Sequence, residues 1–186
     1  MSNNPEYTLI KEVTNTYTAC PYKWLFEKYK DDCKIFIETG TYLGDSCAAA
    51  LELGFEKVMT VEEDANMFNR AKANLTSLLT EDHQKKLQMF LGNSRERMPE
   101  ILAQVNSRAL FWIDAHYMDG APAFVELEYI SKHPIKNHVI IVDDIPLYFG
   151  NGSELQKAIS RINPEYKFTF ETFPPRGPGY HMAAHF

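Results

Sequence analysis

Short apolar runs alternate with stretches of helical periodicity along most of this chain. The runs predict seven strands, at residues 34–38, 57–62, 87–91, 109–113, 138–142, 166–173 and 180–186. After each of the first five runs, apolar residues recur three or four positions apart, which predicts an amphipathic helix. Asp45, Asp64 and Ser153 are predicted to cap three of these helices, because their side chains can accept hydrogen bonds from the first turn.

Strict alternation of strands and helices predicts an α/β fold, a doubly wound and mostly parallel seven-stranded sheet with helices on both faces. The last two strands are joined by residues 174–179, which leave no room for a crossover helix, so this pair must be antiparallel. A length of 186 residues suits one domain, 1–186, with its core at 34–186. Residues 1–30 are predicted to be an N-terminal helical extension, with one helix at 22–29 covering an edge or a site.

Three acids follow two of the predicted strands. Asp114 ends the fourth, and Asp143 and Asp144 end the fifth. If these strands are parallel neighbours, the carboxylates converge, and they cannot all stay ionised unless one takes a proton or a cation lies among them. The alternative is that they are solvated loop acids or helix caps. Hard oxygen ligands of this kind favour Mg²⁺.

A glycine turn follows the first strand, with the sequence Glu38-Thr39-Gly40-Thr41-Tyr42-Leu43-Gly44. Its spacing differs from the G-x-G-x-x-G of dinucleotide-binding proteins, and Glu38 would repel a pyrophosphate. An acid at this position suits an ammonium or a sulfonium, while the helix start at Asp45-Ser46 favours a carboxylate. The alternative is a plain strand–helix connection that needs positive φ.

Two further positions complete a candidate nucleoside site. Glu62 ends the second strand, where an acid commonly binds ribose hydroxyls. Asn93 and Ser94 follow the third strand and are predicted to hydrogen-bond an adenine edge.

Together these residues resemble the motifs of class I S-adenosylmethionine-dependent methyltransferases over residues 34–186, which implies a Rossmann-like fold. An Asp on the fourth strand with an Asp-Asp pair on the fifth resembles, more narrowly, the metal-dependent O-methyltransferases of the catechol and macrocin O-methyltransferase types. The resemblance implies cofactor contacts from a set of eleven residues: Glu38, Thr39, Gly40, Thr41, Tyr42, Gly44, Ser46, Glu62, Asn93, Ser94 and Asp114.

The same resemblance implies Mg²⁺ bound by Asp114, Asp143 and Asp144, and methylation of a hydroxyl on a small molecule or sugar. The catechol type's lysine is replaced here by Tyr117. His116 is a general base, an extra metal ligand or an ordinary loop residue, and Asp114 is the other candidate for the base. Two alternatives remain: a non-catalytic binding domain, and a metal-dependent hydroxylase-like enzyme on the same fold.

Net charge and composition narrow the classes of binding partner that we expect. A net charge of −6 disfavours nucleic acid, and no apolar stretch is long enough for a membrane helix. Three cysteines without metal-ligand spacing, and no signal-peptide pattern, predict a reducing, cytoplasmic location. Whether the protein forms a homo-oligomer stays open.

Overall fold

A single mixed sheet organises the molecule. The computed structural model describes residues 20–116, 120–173 and 177–186. Its seven strands are β1 (Ile35–Thr39), β2 (Lys57–Glu62), β3 (Leu87–Leu91), β4 (Ala109–Ile113), β5 (Val139–Val142), β6 (Lys167–Phe173) and β7 (Gly177–His185). They lie in the order β3-β2-β1-β4-β5-β7-β6. The first five strands pair in parallel, and β7 is antiparallel to both β5 and β6. The predicted fold class is confirmed.

Eight helices lie in the part of the chain that the structure describes. They are α1 (Lys23–Tyr29), α2 (Asp45–Glu52), α3 (Ala65–Leu78), α4 (Glu81–Lys86), α5 (Ser94–Leu102), α6 (Ala123–Lys132), α7 (Ile145–Tyr148) and α8 (Ser153–Ser160). The helix predicted at 22–29 is therefore present. The rest of the predicted extension, residues 1–19, and the connector residues 174–176 lie outside the described ranges, as does Tyr117.

Alternating side chains of the sheet supply two cores, one on each face. One core joins the sheet to α5, α6 and α8 through residues such as Phe111, Leu127 and Ile159. The other joins it to α1, α2 and α3 and includes Phe26 and Trp112. Successive side chains of a strand point to opposite faces, so the fully buried run from Ala109 to Ile113 serves both cores.

Of the three residues predicted to cap helices, one is confirmed. Asp64 is the N-cap of α3, and its carboxylate accepts from the backbone N–H groups of Asn66 and Met67. Asp45 and Ser153 were expected to cap their helices, and these predictions are wrong. In both cases the N-cap is the preceding glycine, Gly44 or Gly152, which lies in the left-handed region and has no side chain to act as a cap. Glycine adopts that conformation without a Cβ clash. The N-cap is therefore the residue before Asp45 or Ser153, and not Asp45 or Ser153 itself. At α8 the Oδ1 of Asn151 accepts from the backbone N–H of Ser153 at 3.1 Å.

The chain order reverses next to β1, since β2 and β3 lie on one side of it and β4 and β5 on the other. Ligands of open α/β sheets bind beyond the carboxyl ends of the strands at such a reversal. The glycine turn, Asp114 and the Asp143-Asp144 pair all follow carboxyl ends at this edge of the sheet.

Candidate cofactor and metal site

The glycine turn is anchored to the strands on both sides of β1. The backbone N–H of Gly40 donates to Val61 O at 2.9 Å, and that of Asp114 donates to Thr39 O at 3.2 Å. Gly40 has φ +89, and a Cβ added there would lie 2.9 Å from Asp114 O. A glycine is therefore required for the turn to pass this close to the end of β4.

Glu38 is a buried acid in β1, directly before the glycine turn. Its Oε2 accepts from Thr60 Oγ1 at 2.8 Å and from Cys47 Sγ at 3.0 Å. Its Oε1 is buried and has no hydrogen-bond partner among the residues described. Burial raises the pKa of Glu38 to about 7, against the lowering effect of hydrogen bonds from Cys47, Ser46 and Thr60. An oxygen without a partner in such a place is suited to receive a donor from a ligand.

Glu62 ties the turn to the end of β2. Its Oε2 accepts from the backbone N–H of Tyr42 and its Oε1 from that of Asp64, both at 2.9 Å. Tyr42 has φ 50, an uncommon value for a residue with a side chain, and its ring is exposed. Glu62 therefore holds the turn in shape while lying where the ribose-binding acid was predicted.

Asn93 and Ser94 open α5 beyond β3. The Oδ1 of Asn93 caps the helix by accepting from the backbone N–H of Arg95 at 2.9 Å, and its Nδ2 donates to Glu63 Oε1 at 3.0 Å. Ser94 is buried. The Asn93 side chain thus holds the loop, and its contact with an adenine edge stays a prediction.

Thr41 and Ser46 both lie near Glu38, Thr41 from the glycine turn and Ser46 from α2. Thr41 is buried, and its Oγ1 lies 2.6 Å from Thr60 Oγ1. Because Thr60 uses its own hydrogen on Glu38, Thr41 is the donor in this pair when Glu38 is ionised. Ser46, in the first turn of α2, lies near enough to Glu38 to lower the pKa of that carboxyl. The polar residues of the turn therefore converge on this one carboxyl.

The three predicted acids do gather at one edge, but they are not equivalent. The pKa of Asp114 is raised well above its usual value by burial, by Asp143, by Glu38 and by Asp144, in that order. Asp144 has φ 54, so the chain turns sharply after Asp143 and sends the two side chains apart.

His116 joins two of these acids. Ligand atoms of Asp114, His116 and Asp144 all lie within 4.8 Å of one another. The distance from His116 Nδ1 to Asp114 Oδ1 is 3.9 Å, and that from Nε2 to Asp144 Oδ2 is 3.3 Å. The imidazole is stacked on the Tyr148 ring, with centroids 4.4 Å apart. This group contains a single histidine, whereas the hydroxylase-like alternative calls for two.

Asp143 instead contacts a histidine that the sequence did not single out for the site. Its Oδ1 lies 2.6 Å from His181 Nδ1 and also accepts from the backbone N–H of Asp144 at 2.7 Å. His181 is fully buried, and the rings of Tyr22, Trp112 and Phe173 surround it. The antiparallel pairing of β7 with β5, in which Val142 faces Met182, brings His181 close to Asp143, the residue after Val142.

Glu126 is the second residue that sequence reasoning missed. It is fully buried in α6, and its Oε2 accepts from Thr39 Oγ1 at 3.3 Å. Thr39 Oγ1 in turn accepts from the backbone N–H of Asp114 at 3.3 Å. Burial raises the pKa of Glu126 to about 7, opposed by Ser94, Thr39 and Arg95. Its position on the same helical face as Ala123 and Ile130 was the available signal.

Comparisons with solved structures give the fold a context. An O-methyltransferase from Bacillus cereus in complex with S-adenosylhomocysteine matches with a TM-score of 0.65 and 17% identity, over 100% of this chain and 93% of that one. A Staphylococcus aureus protein described as a caffeoyl-CoA O-methyltransferase matches with a TM-score of 0.65 and 17% identity, over 98% and 90%. TomG from Streptomyces achromogenes, an O-methyltransferase in complex with S-adenosylmethionine, matches with a TM-score of 0.59 and 13% identity, over 100% and 81%. No protein-family model and no curated protein sequence matches the chain.

The fold is therefore that of the class I S-adenosylmethionine-dependent methyltransferases. The three solved structures compared above are described as O-methyltransferases.

Proposed function

We propose that this protein is an S-adenosylmethionine-dependent methyltransferase that acts on a hydroxyl oxygen of a small molecule or sugar. The observation that carries the proposal is Glu38, a buried carboxyl with one oxygen unpartnered among the described residues, at the strand end where this fold binds its ligand. An ammonium group is the donor that would best match this oxygen. S-adenosylmethionine and S-adenosylhomocysteine both carry one, and solved structures with this fold hold these molecules.

Other residues of the turn would orient the same ligand. The start of α2, at Asp45-Ser46, presents backbone N–H groups to a carboxylate, although the side chain of Asp45 limits the charge that is favoured there. Glu62 lies at the end of β2, where it would accept from ribose hydroxyls while holding the backbone of Tyr42. Asn93 and Ser94 would border the adenine.

A divalent cation would bind beside the methyl group, at the acids after β4 and β5. The donor set fits such an ion, because Asp114 and its acidic neighbours raise each other's cost of ionisation unless a positive charge offsets it. When bound, the cation would hold the acceptor oxygen and lower the pKa of its hydroxyl. By resemblance, the ligands would be Asp114, Asp143 and Asp144.

The reaction would be an in-line displacement. A lone pair on the acceptor oxygen forms a bond to the methyl carbon, while the carbon–sulfur bond breaks and its electron pair stays on sulfur as S-adenosylhomocysteine leaves. The hydroxyl proton passes to His116 or Asp114. Positioning supplies most of the acceleration for a step that needs no covalent help from the protein.

Calorimetric titration of S-adenosylhomocysteine into the protein, with Mg²⁺ and again with EDTA, tests the proposal. Micromolar binding is expected under both conditions, because ten of the eleven implied cofactor contacts lie outside the acid group, which shares Asp114 alone with that set. Absence of binding under both conditions would remove the methyltransferase assignment. Binding without methylation of any hydroxylated acceptor, at any metal, would favour a non-catalytic binding domain.

The variant Asp143→Ala separates cofactor binding from catalysis. It is expected to abolish turnover, because Asp143 lies against Asp114 at the cation edge. The affinity for S-adenosylhomocysteine should stay within about threefold of wild type, since the hydrogen bonds and ion pair described for Asp143 join it to Ile113, Asp144 and His181. Equal losses of turnover and of cofactor affinity would contradict the cation-positioning role.

A further inference from the structure

A cavity lies between α3, α4 and β3, at the edge of the sheet that is remote from β4 and β5. Its volume is about 230 Å³. Phe68 and Leu75 line it from α3, and Leu87 and Met89 line it from β3. Leu75 is buried, but the other three side chains are only partly buried. Apolar surface therefore remains open to a ligand at this place.

Two hydrogen-bond donors of α3 line the same cavity. Lys72 and Thr76 are four positions apart, so their side chains are neighbours on one face of the helix. Neither side chain forms a hydrogen bond or an ion pair within the described ranges, and Lys72 is the single charged residue among the described residues of the lining. An ammonium beside a hydroxyl suits a carboxylate, whose two oxygens can accept from both.

Gln84 of α4 holds the walls of the cavity together. Its Nε2 donates to Thr76 O at 3.1 Å and to Leu79 O at 3.0 Å, which fixes α4 against the last turn of α3. The cavity is therefore formed before a ligand arrives, as ligand sites usually are. Because both amide hydrogens are used, Gln84 has no donor left for an anion, and recognition of the charge falls to the two side chains of α3.

The wall that α3 supplies also touches the glycine turn. A Cβ added to Gly44 would lie 2.7 Å from Leu75 Cδ1, so Leu75 packs directly on Gly44, the last residue of the turn. The neighbouring Asn74 donates from its Nδ2 to Leu43 O at 3.3 Å. One side chain thus separates the cavity from the turn where the cofactor is proposed to bind.

We propose that this cavity binds a small monocarboxylate with an unbranched apolar chain, and that its occupant strengthens the binding of the cofactor. The carboxylate would lie against Lys72 and Thr76, and the chain against the apolar side chains of α3 and β3. The volume of about 230 Å³ is below the roughly 300–1,000 Å³ of pockets for drug-sized ligands, so roughly ten non-hydrogen atoms suit it.

The coupling follows from the packing of Leu75. When the cavity is filled, Leu75 has less room to move away from Gly44, and the glycine turn loses freedom that the cofactor would otherwise have to remove on binding. The existence of the site is independent of the reaction, whereas its coupling to the cofactor rests on the proposed function.

Octanoate, a carboxylate of about the required size, is the probe, and octanamide is its uncharged counterpart. Each is titrated into full-length protein with isotopically labelled methionine methyl groups and followed by nuclear magnetic resonance. The Met89 signal, identified by its loss in Met89→Leu, should shift and saturate, whereas that of Met182, buried in β7, should stay in place. Octanamide should bind at least about threefold more weakly than octanoate.

Calorimetry measures the coupling. Saturation with octanoate should raise the affinity for S-adenosylhomocysteine by about fivefold, the lower end of typical coupling between two sites. Saturation with S-adenosylhomocysteine should tighten octanoate binding by the same factor, because coupling between two ligands is reciprocal.

Two lysine substitutions assign the charge. Lys72→Gln should weaken octanoate binding by at least about threefold and should bring the affinities for octanoate and octanamide together. Lys85→Gln removes the same charge from α4, outside the lining, where Lys85 pairs with Asp82 at 3.2 Å, and it should leave both affinities unchanged. Both lysines are exposed, so neither substitution is expected to unfold the protein.

Each other result overturns the inference. A Met89 signal that does not move excludes the site. Equal affinities of the wild type for the two probes, or equal octanoate affinities of the wild type and Lys72→Gln, exclude a carboxylate as the ligand. Octanoate binding with an unchanged affinity for S-adenosylhomocysteine excludes the coupling. If the wild type fails to bind S-adenosylhomocysteine without octanoate, the proposed function fails, and the Met89 signal still decides whether the site exists.

Discussion

Several residues at the carboxyl edge of the sheet each have two roles. Glu62 holds the backbone of Tyr42 and lies at the predicted ribose position, and Gly40 makes room for the end of β4 while starting the turn. Among them, Glu38 is the residue whose charge responds to pH near neutrality, because its pKa of about 7 lies in the physiological range. Its side chain is nevertheless fully buried from solvent. Each of these residues can be tested by one substitution.

The affinity for S-adenosylhomocysteine should rise with pH. Glu38 is mainly protonated below its pKa of about 7, and the cofactor's ammonium favours the ionised form, so binding releases a proton. Between about pH 6 and pH 8 the ionised fraction rises about tenfold, and the dissociation constant should fall accordingly. Isothermal titration calorimetry in buffers of different ionisation enthalpy measures both the affinity and the proton release.

Glu38→Gln should bind more weakly and without this pH dependence. Glu126→Gln is the matched control, because Glu126 is also a buried carboxyl with a pKa raised to about 7 and one oxygen without a partner among the described residues, but it lies on α6 and not on β1. That variant should keep the wild-type slope. A slope that survives in Glu38→Gln would contradict the assignment of the ammonium to Glu38.

Gly40→Ala should lower cofactor affinity by about tenfold or more, because its Cβ would meet Asp114 O at 2.9 Å and push the turn from the end of β4. Gly54→Ala is the control: Gly54 has φ +78, but its nearest contact would be Lys30 Nζ at 3.6 Å. Both variants should lose about 1–2 kcal/mol of unfolding free energy from positive φ. Urea unfolding and calorimetric titration measure the two effects, and equal cofactor affinities would disprove the close-approach argument.

At the scale of elements, local patterns predicted the strands well and the site only in part. The bounds of β2, β3 and β4 agree with their apolar runs. β2 and β4 are buried on both faces and have the simple composition of such strands, whereas β3 is a partly buried edge strand. Helix starts failed where a glycine took the N-cap position, since its backbone freedom replaces a capping side chain. His181 was missed because the sequence indicates that the last two strands pair, but not that β7 enters between β5 and β6. That order depends on tertiary packing, which no local pattern contains.

His133 and His138 lie near the amino ends of β4 and β5, at the opposite edge of the sheet from the candidate site. Their hydrogen bonds determine which ring nitrogens carry a proton. Val105 O can only accept, so the His133 Nε2 that lies 3.1 Å from it carries the hydrogen. His133 Nδ1 then accepts from His138 Nε2 at 3.0 Å, and His138 Nδ1 accepts from the backbone N–H of Ala109 at 3.1 Å. Each ring therefore donates from one nitrogen and accepts at the other, so a proton added to His138 Nδ1 would break its bond from Ala109.

Acid should therefore destabilise the protein through His138. Burial, His133, Arg108 and Lys136 lower its pKa from 6.5 to about 3. The unfolded state takes up the proton first, so this contribution is complete above about pH 6.5 and is lost as the pH falls toward 3, by at most about 4–5 kcal/mol. Urea unfolding at a series of pH values measures it.

His138→Gln should be less stable than wild type at neutral pH, and its stability should fall less steeply with acid. The raised pKa values of Glu38 and Glu126 act with the opposite sign in both proteins, so the difference between the two curves isolates His138. His83→Gln should keep the wild-type curve. Parallel curves for His138→Gln and wild type would contradict the neutral pair.

For the whole molecule, α1 is part of the core and not a separate appendage. Leu25 and Phe26 are fully buried, and Phe26 packs edge-on against Phe36 and Trp112 of the sheet. Lys28 of the same helix pairs with Glu171 of β6 at 2.6 Å, so the helix spans from the middle of the sheet to its edge strand. None of the helices in the described ranges has the length and apolar character needed to cross a bilayer.

Phe26→Ala should lower the free energy of unfolding by about 3–5 kcal/mol, the range for removing a large buried ring. Trp24→Ala is the control on the same helix, since Trp24 is 39% exposed, and it should cost no more than about 1 kcal/mol. Thermal and urea unfolding measure both changes. Similar small losses for the two variants would indicate that α1 is not part of the core.

The position of β7 between β5 and β6 has a consequence for synthesis on the ribosome. While the chain emerges, β1 to β5 can assemble, yet the outer edge of β5 has no neighbour until β7 is made, after β6. An unpaired edge of Val139–Val142 is a template for pairing with other nascent chains. The strand that removes this hazard is the one that brings His181 to Asp143. Protection from aggregation and completion of the site therefore come in the same late event of translation.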